Sequence, residues 1–456
     1  MSFDLQDIPL DSAASAAIAD QGLEYRLLDP GNRGALAAWV EADMRGFHHS
    51  RPRKSDAAHQ LRILSDRRVL GVYDPKAADT ETPVATVSGW PTGLTVPGGR
   101  SVDAWAVSSV TVSATHRRRG IARALMEGAL ADARAAGAAL AMLTVTEATI
   151  YGRYGYAPAA QAATITVDRH RVRWIGPASP GRLELVEPAV LRDDAAAIVR
   201  RAVARTPGEV DRWPGLLDRV LGLVEPDRDS ARATRVVRYD DEQGQPQGFV
   251  TYRIAREPDE PGILEFEFLV AATDDAEREL WRFLVEQDFV TGVRGRLRSV
   301  DEPLAWLLED PRAITVSDVV DHLWVRVLDP VAALSARVYG ATGTLTLEIA
   351  DPGGHADGTF ELEVAGNGRG ELRRVDDATS GPRAAASPAA PSTRRSRRPS
   401  QGIRLGVQEL GAIYLGGVRP SVLARAGRMT ELAPGSLALA DRMFAAERTP
   451  HLSIWF

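Results

Sequence analysis

The sequence predicts an α+β protein of two or three domains. An apolar strand ending at Val112 runs into a basic, glycine-pivoted turn, Thr115-His116-Arg117-Arg118-Arg119-Gly120, and from there into an amphipathic helix. A strand and helix rhythm starts again after the Pro- and Gly-rich junction Gly176-Pro177-Ala178-Ser179-Pro180-Gly181. With 456 residues the chain is also longer than one hydrophobic core usually organises.

Leu23 to Leu28 reads as the first strand, and Arg33 to Phe47 as a helix with Leu36, Trp39, Val40 and Met44 on one stripe. A second helix covers Asp56 to Leu64. Strands follow at Val69 to Tyr73, Val84 to Trp90 and Asp103 to Val112, joined by turns rich in Pro, Gly and Asp. After Gly120, Ile121, Leu125 and Ala129 recur at helical spacing until Gly137 stops the helix. The apolar run 139–145 is the next strand, ahead of the aromatic turn Tyr151-Gly152-Arg153-Tyr154-Gly155-Tyr156, and Thr164 to Trp174 alternates as a further strand. The second half predicts strands at Leu183 to Val186, Thr234 to Tyr239, Gly248 to Ile254 and Ile263 to Val270, with helices at Ala195 to Arg205, Trp213 to Leu223 and Ala276 to Val285. Its last part has a helix near Pro330 to Arg337, strands at Gly343 to Ile349 and Thr359 to Val364, and helices after Val407 and Pro420. Residues 376–402, rich in Ser, Pro, Ala and Arg, bury too little apolar surface to offset their ordering entropy and are expected to form a mobile loop.

Hydrophobic residues at 44% and charged residues at 25% are ordinary globular values. The net charge of -6 argues against a nucleic-acid binder, whose footprint would be strongly positive. No apolar run approaches the roughly 20 residues of a membrane helix, and Met1 to Ile8 lacks a basic region followed by an apolar core, so no membrane association and a cytoplasmic location are expected. The absence of cysteine removes disulfides, thiolate metal sites and an acyl-cysteine from consideration. His48-His49 has no third ligand at helical spacing, so no metal is expected.

The turn at 115–120 is built to hold a phosphate. The first amides of a helix lack internal partners and carry partial positive charge, the arginines add to that field, and Gly120 and Ala122 keep the approach open. Arg117, Gly120 and Ala122 meet the Gln/Arg-x-x-Gly-x-Gly/Ala signature, and here the chain resembles the GNAT superfamily of acyl-CoA N-acyltransferases. Thr-His-Arg-Arg-Arg-Gly at 115–120 with Ile-Tyr-Gly-Arg-Tyr-Gly-Tyr at 150–156 resembles the Eis acetyltransferases of actinobacteria. The likeness continues through Asp321-His322-Leu323-Trp324-Val325-Arg326, Glu409-Leu410-Gly411-Ala412-Ile413-Tyr414-Leu415-Gly416-Gly417 and a terminal Phe456. It implies tandem GNAT domains, the first active over residues 1–165 and the second degenerate over 166–325, followed by a sterol-carrier-protein-like α+β domain over 326–456. It also implies acetyl-CoA as co-substrate and a homohexamer.

By that resemblance Val110, Thr111 and Val112 would pair with the pantetheine amides, and the backbone of Arg118, Arg119, Gly120, Ile121, Ala122 and Arg123 would hold the pyrophosphate. Thr146 and Glu147 match positions near the acyl-CoA. Tyr151 matches the family's general acid, since a phenol with a pKa of about 10 keeps its proton at neutral pH and lies near a thiol's range. The carboxylate of Phe456 would serve as base, with burial of Trp455 and the Phe456 ring anchoring the tail. Phe47, His49 and Trp455 would line the amine pocket. His49 stands where the family often has an acid, Ser109 where it has an aromatic, and Trp455 where a glutamate precedes the final Phe. Fewer carboxylates imply narrower use of polycationic aminoglycosides than of other primary amines or lysine side chains. A lipid carrier or scaffold and a non-catalytic acyl-CoA sensor are the alternatives.

Overall fold

The computed structural model describes residues 4–51, 54–213, 215–224, 229–255, 262–375 and 401–456. The first part of the chain forms α1 (Ser12–Ala19), β1 (Glu24–Leu27), α2 (Arg33–Gly46), α3 (Lys54–Leu64), β2 (Arg68–Tyr73), β3 (Ala85–Val96), β4 (Arg100–Val112), α4 (Ile121–Ala135), β5 (Leu140–Thr144), α5 (Ala148–Tyr151) and β6 (Ala157–Asp168). The middle part forms β7 (Arg182–Val186), α6 (Pro188–Val203), α7 (Leu216–Val220), α8 (Asp229–Ala233), β8 (Arg235–Asp240), β9 (Pro246–Ala255), β10 (Gly262–Ala271), α9 (Asp274–Val285), β11 (Val290–Arg298) and β12 (Ile314–Val327). The last part forms α10 (Pro330–Ala336), β13 (Gly343–Ala350), β14 (Gly358–Val364), β15 (Gly370–Arg374), β16 (Gly402–Gly406), α11 (Val407–Tyr414), α12 (Pro420–Arg425), β17 (Met429–Glu431) and α13 (Ser436–Phe444).

The first twelve strands make one continuous sheet in the order β1-β2-β3-β4-β5-β12-β6-β11-β10-β9-β8-β7. Strands β6 and β12 are interchanged between the two halves. β6 pairs antiparallel with β11 of the second half, and β12 pairs antiparallel with β5 of the first. The remaining strands form a second sheet, β15-β14-β13-β16-β17.

Helices α2 and α3 pack through Leu36, Trp39, Val40 and Leu64 onto Val69 and Tyr73. Helix α4 presents Ile121, Leu125 and Ala129 to a separate core with Val72, Val87, Trp105, Val107 and Leu143. The stripes read from the sequence are therefore the buried faces of α2 and α4. A buried arginine ties the third domain to the first: Arg326 binds Asp351 through both carboxylate oxygens at 2.9 and 2.7 Å and donates to the Tyr154 carbonyl at 2.9 Å.

Several expectations are corrected. The strand expected at Thr164 to Trp174 spans Ala157–Asp168. Its alanine-rich start has weak strand propensity, and pairing with β11 and β12 decides its extent. The helix expected at Trp213 to Leu223 shrinks to Leu216–Val220. Most of the loop expected at 376–402 lies outside the described residues, but Gly402 opens β16, which pairs parallel with β13.

Candidate active site

Strands β4 and β5 run parallel only from Ala104–Leu140 to Ala106–Met142, after which β4 continues to Val112 with no β5 partner. A register shift against β3 at Thr86 and Ser88 bulges β4, with Ser109 at φ 58°. The divergence leaves a V-shaped opening between the strands with the start of α4 at its rim. Val110 and Val112 lean on the α4 core, while Thr111 is buried with its hydroxyl 2.7 Å from that of Thr86. Thr86 also donates to the Ser109 carbonyl at 2.8 Å, fixing the bulge.

The turn into α4 passes through two left-handed residues, Arg118 at φ 64° and Gly120 at φ 83°. Arg118, Arg119, Gly120 and Arg123 are exposed, Ala122 is half-buried, and only Ile121 points inward. The first intrahelical bond runs from the Ala124 amide to the Gly120 carbonyl, so the amides of Ile121, Ala122 and Arg123 have no helical acceptor. No atom lies within 4 Å of where a Gly120 Cβ would stand. Open amides, a left-handed glycine and three arginines fit a diphosphate. Arg117 folds back to the Val112 carbonyl at 3.3 Å and closes the end of β4. It also lines a cavity of about 200 Å³ with Gly46, His48, Thr111 and Ser113.

Thr146 and Glu147 are exposed at the end of β5, and Glu147 caps α5 without a side-chain bond. Tyr151 ends α5, buried and edge-on to Tyr156 at 6.4 Å. Burial, with Glu147 and Tyr154 nearby, raises its pKa above that of a free phenol, so it holds its proton firmly. The turn is fixed from outside by Arg326 on the Tyr154 carbonyl and by Gln408 on the Gly152 carbonyl.

The C-terminal tail enters this opening. The Thr144 hydroxyl donates to the Phe456 main-chain oxygen at 2.8 Å, which brings that group to the strand leading into the Tyr151 turn. The Phe456 ring meets Trp90 edge-on at 5.6 Å. Trp455 is 43% exposed, contrary to the expected burial, and crosses the His322 ring at 4.5 Å. The apolar anchors are instead Leu452 and Ile454, at 0% and 4% exposure. Their burial is worth roughly 1.5–3 kcal/mol each. The tail alternates inward and outward, which places Trp455 on the outer side. His322 donates from Nε2 to the Ile454 carbonyl at 2.7 Å, and burial pushes its pKa down to about 4, so it is a neutral donor.

Phe47 and His49 stack at 6.1 Å just beyond the C-terminus of α2, with His49 exposed. The sequence reading missed Asp43, one turn before Phe47. Burial pushes its carboxyl up to about 6, against a hydrogen bond from Ser109 and the field of Arg67. Arg67 lies flat on Trp90 at 3.6 Å, the same indole that meets Phe456, and burial pushes it down to about 9 despite Asp43. Asp43, Ser109, Arg67, Trp90 and Phe456 thus form one connected group. The signal was present: Asp43 follows Leu36, Trp39 and Val40 at helical spacing, a carboxylate on the apolar stripe.

Among the described residues no cluster of three or more His, Asp or Glu side chains could hold a metal ion, and no helix is long and apolar enough to cross a membrane.

Three domain families match: acetyltransferase (GNAT) domains at residues 28–159 and 208–327, and a sterol carrier protein domain at 330–453. An uncharacterized N-acetyltransferase of Streptomyces avermitilis is 34% identical over 91% of this chain and 94% of its own length. The N-acetyltransferase Eis of Mycobacterium tuberculosis is 31% identical over 78% of this chain and 81% of its own. The crystal structure of Eis1 from Mycobacterium abscessus superposes with a TM-score of 0.76 at 28% identity, covering 95% of this chain and 100% of that one.

Proposed function

Because the chain belongs to the Eis family of GNAT N-acetyltransferases, we propose that it transfers an acetyl group from acetyl-CoA directly to a primary amine, using Tyr151 as acid and the carboxylate of Phe456 as base. The observation that carries this reading is the Thr144 bond to Phe456, which holds the end of the tail where β5 parts from β4.

Acetyl-CoA supplies the activated thioester, and the chain's own groups do the rest. The α4 amides and Arg118 to Arg123 receive the pyrophosphate. The free edge of β4 at Val110, Thr111 and Val112 receives the pantetheine amides, and an amide freed by the bulge polarises the acetyl carbonyl. The amine approaches from the α2 side, past Phe47, His49 and Trp455, with Thr146 and Glu147 at the acyl-CoA side. A carbon–nitrogen bond forms and the carbon–sulfur bond breaks. The Phe456 carboxylate takes the amine proton, the Tyr151 hydroxyl protonates the departing sulfur, and exchange with solvent then removes the proton from the carboxyl and returns one to the phenolate. A carboxylate near 3.5 and an amine near 10 are separated by about 9 kcal/mol, so the proton moves as the bond forms rather than before it.

Asp43 supplies a carboxylate on the amine side, where His49 and Trp455 do not. One acid beside Arg67 suits a single ammonium or lysine side chain better than a polycationic aminoglycoside. We assign the enzyme to the cytoplasm, and to a homohexamer on the family's precedent.

The test is thiol release from acetyl-CoA and propionyl-CoA with a panel of aminoglycosides, basic peptides and simple amines. Tyr151→Phe should lower kcat by about 10²–10⁴-fold while coenzyme A still binds. Thiol release with no amine of the panel, or an unimpaired Tyr151→Phe, would overturn the assignment.

A further inference from the structure

The second half of the large sheet repeats the framework of the first opening. Strands β10 and β11 are parallel from Gly262–Val290 to Phe266–Gly295 and then part, as β4 and β5 do. A register shift against β9 at Phe266 and Phe268 corresponds to the β3–β4 bulge. Helix α9 follows β10 as α4 follows β4. What differs is the sign of the helix start. Where α4 is preceded by Arg117, Arg118 and Arg119, the first turn of α9 carries Asp274, Asp275 and Glu277, and the Thr273 side chain caps the Ala276 amide. That end repels a diphosphate and has already spent an amide on its own cap.

The resulting cleft, about 430 Å³ in volume, is lined by the ends of β10 and β11, the start of α9, and Glu447, Arg448, Thr449, His451 and Ser453 of the tail. Arg448 pairs with Asp274 at 2.6 Å, at the helix end that corresponds to the first domain's phosphate site, and Arg205 pairs with the same carboxylate. Thr449 donates to Asp301 at 2.9 Å. His451 donates from Nε2 to the Leu297 carbonyl of β11 at 2.8 Å, and its amide bonds the Pro207 carbonyl at 2.8 Å. Glu209 accepts from the Ser453 amide at 3.2 Å and from Arg212 at 2.8 Å, and Arg212 donates to the Ser453 hydroxyl at 3.0 Å. The segment therefore runs past the helix start and along the parted strands before delivering Phe456 to Thr144.

We propose that the second GNAT domain has exchanged its acyl-CoA ligand for the chain's own tail, so that its former cofactor cleft is a dock that positions Phe456 in the first domain's site. Arg448, His451 and Glu209 are then positioning residues. The catalytic part of the proposal rests on the reading of Phe456 given above, so the dock is tested by readouts independent of turnover.

Titration calorimetry of the full chain with coenzyme A should give one equivalent per chain, and a second equivalent would overturn the proposal. Carboxypeptidase release of Phe456 and Trp455 measures how often the tail leaves the dock. Arg448→Glu, at a 40% exposed side chain, places like charges at the helix start and should speed release about fivefold with an unchanged melting temperature. The swapped pair Arg448→Glu with Asp274→Arg should restore the slow rate. Glu209→Gln should act in the same direction and more strongly. Equal release rates in the wild type, Arg448→Glu and Glu209→Gln would overturn the dock. Faster release with unchanged kcat would support the dock and overturn the role assigned to the Phe456 carboxylate. A fall in kcat at constant KM for acetyl-CoA, restored by the charge swap, supports both.

Discussion

Replacing Asp43 by asparagine should stabilise the protein at neutral pH. The carboxyl titrates at about 6 in the fold against 3.8 when free, because burial disfavours the anion more than Ser109 and Arg67 favour it. A raised folded pKa means that the native state holds the proton more tightly than the unfolded state does. Ionisation therefore costs stability above 6, and the cost is relieved as pH falls toward 4. Two pKa values about two apart correspond to roughly 3 kcal/mol at pH 7.5, about 1.5 kcal/mol at pH 5 and under about 1 kcal/mol at pH 4. Asparagine keeps an oxygen for the Ser109 hydroxyl and removes the charge. Urea unfolding of both proteins at pH 7.5 and 5 should show a gain for Asp43→Asn that roughly halves at the lower pH. An unchanged or lower stability at pH 7.5, or a gain independent of pH, would refute the reasoning. If Asp43 also greets the incoming ammonium, the variant's KM for amines should rise while its KM for acetyl-CoA stays constant.

Two other substitutions test the scaffold of the site. Gly120→Ala forces a Cβ into φ 83°, at a cost of about 1–2 kcal/mol with no steric clash. Denaturation should show that loss, and coenzyme A titration a weaker affinity, because the turn relaxes away from its amide-presenting shape. Arg326→Met leaves the Asp351 carboxylate and the Tyr154 carbonyl buried without their main donor, and should cost roughly 3–5 kcal/mol. Its kcat should fall more than its KM for acetyl-CoA rises, since the Tyr151 turn loses its support while the turn into α4 does not.

The basic turn before α4 and the aromatic turn were legible as local structure: a glycine that adopts the left-handed region, a basic run and a helix start sit within a dozen residues. Helices with a clear apolar stripe, such as α4 and α9, were equally plain. Strands β11, β12, β15 and β16 were not, because their stability comes from partners far away in sequence. β6 shows this directly, since its alanines adopt strand only between two other strands. The route of the tail was hidden for the same reason. Nothing near His451 announces Leu297 or Glu209, and the large aromatic Trp455 looked like the anchor where the smaller Leu452 and Ile454 are. Asp43 was readable from its place on an apolar stripe, but its meaning depends on Ser109 and Arg67, which the fold alone brings near.

The interchange of β6 and β12 limits how the enzyme can move. A hinge that swung one half of the chain from the other would have to unzip the β5–β12, β6–β12 and β6–β11 ladders, three rows of main-chain hydrogen bonds. Substrate entry and product departure must therefore proceed with both units fixed as one block, the traffic being carried by smaller parts such as the tail and the end of α2. The same ladders oblige the two units to melt together, as a single calorimetric transition rather than two.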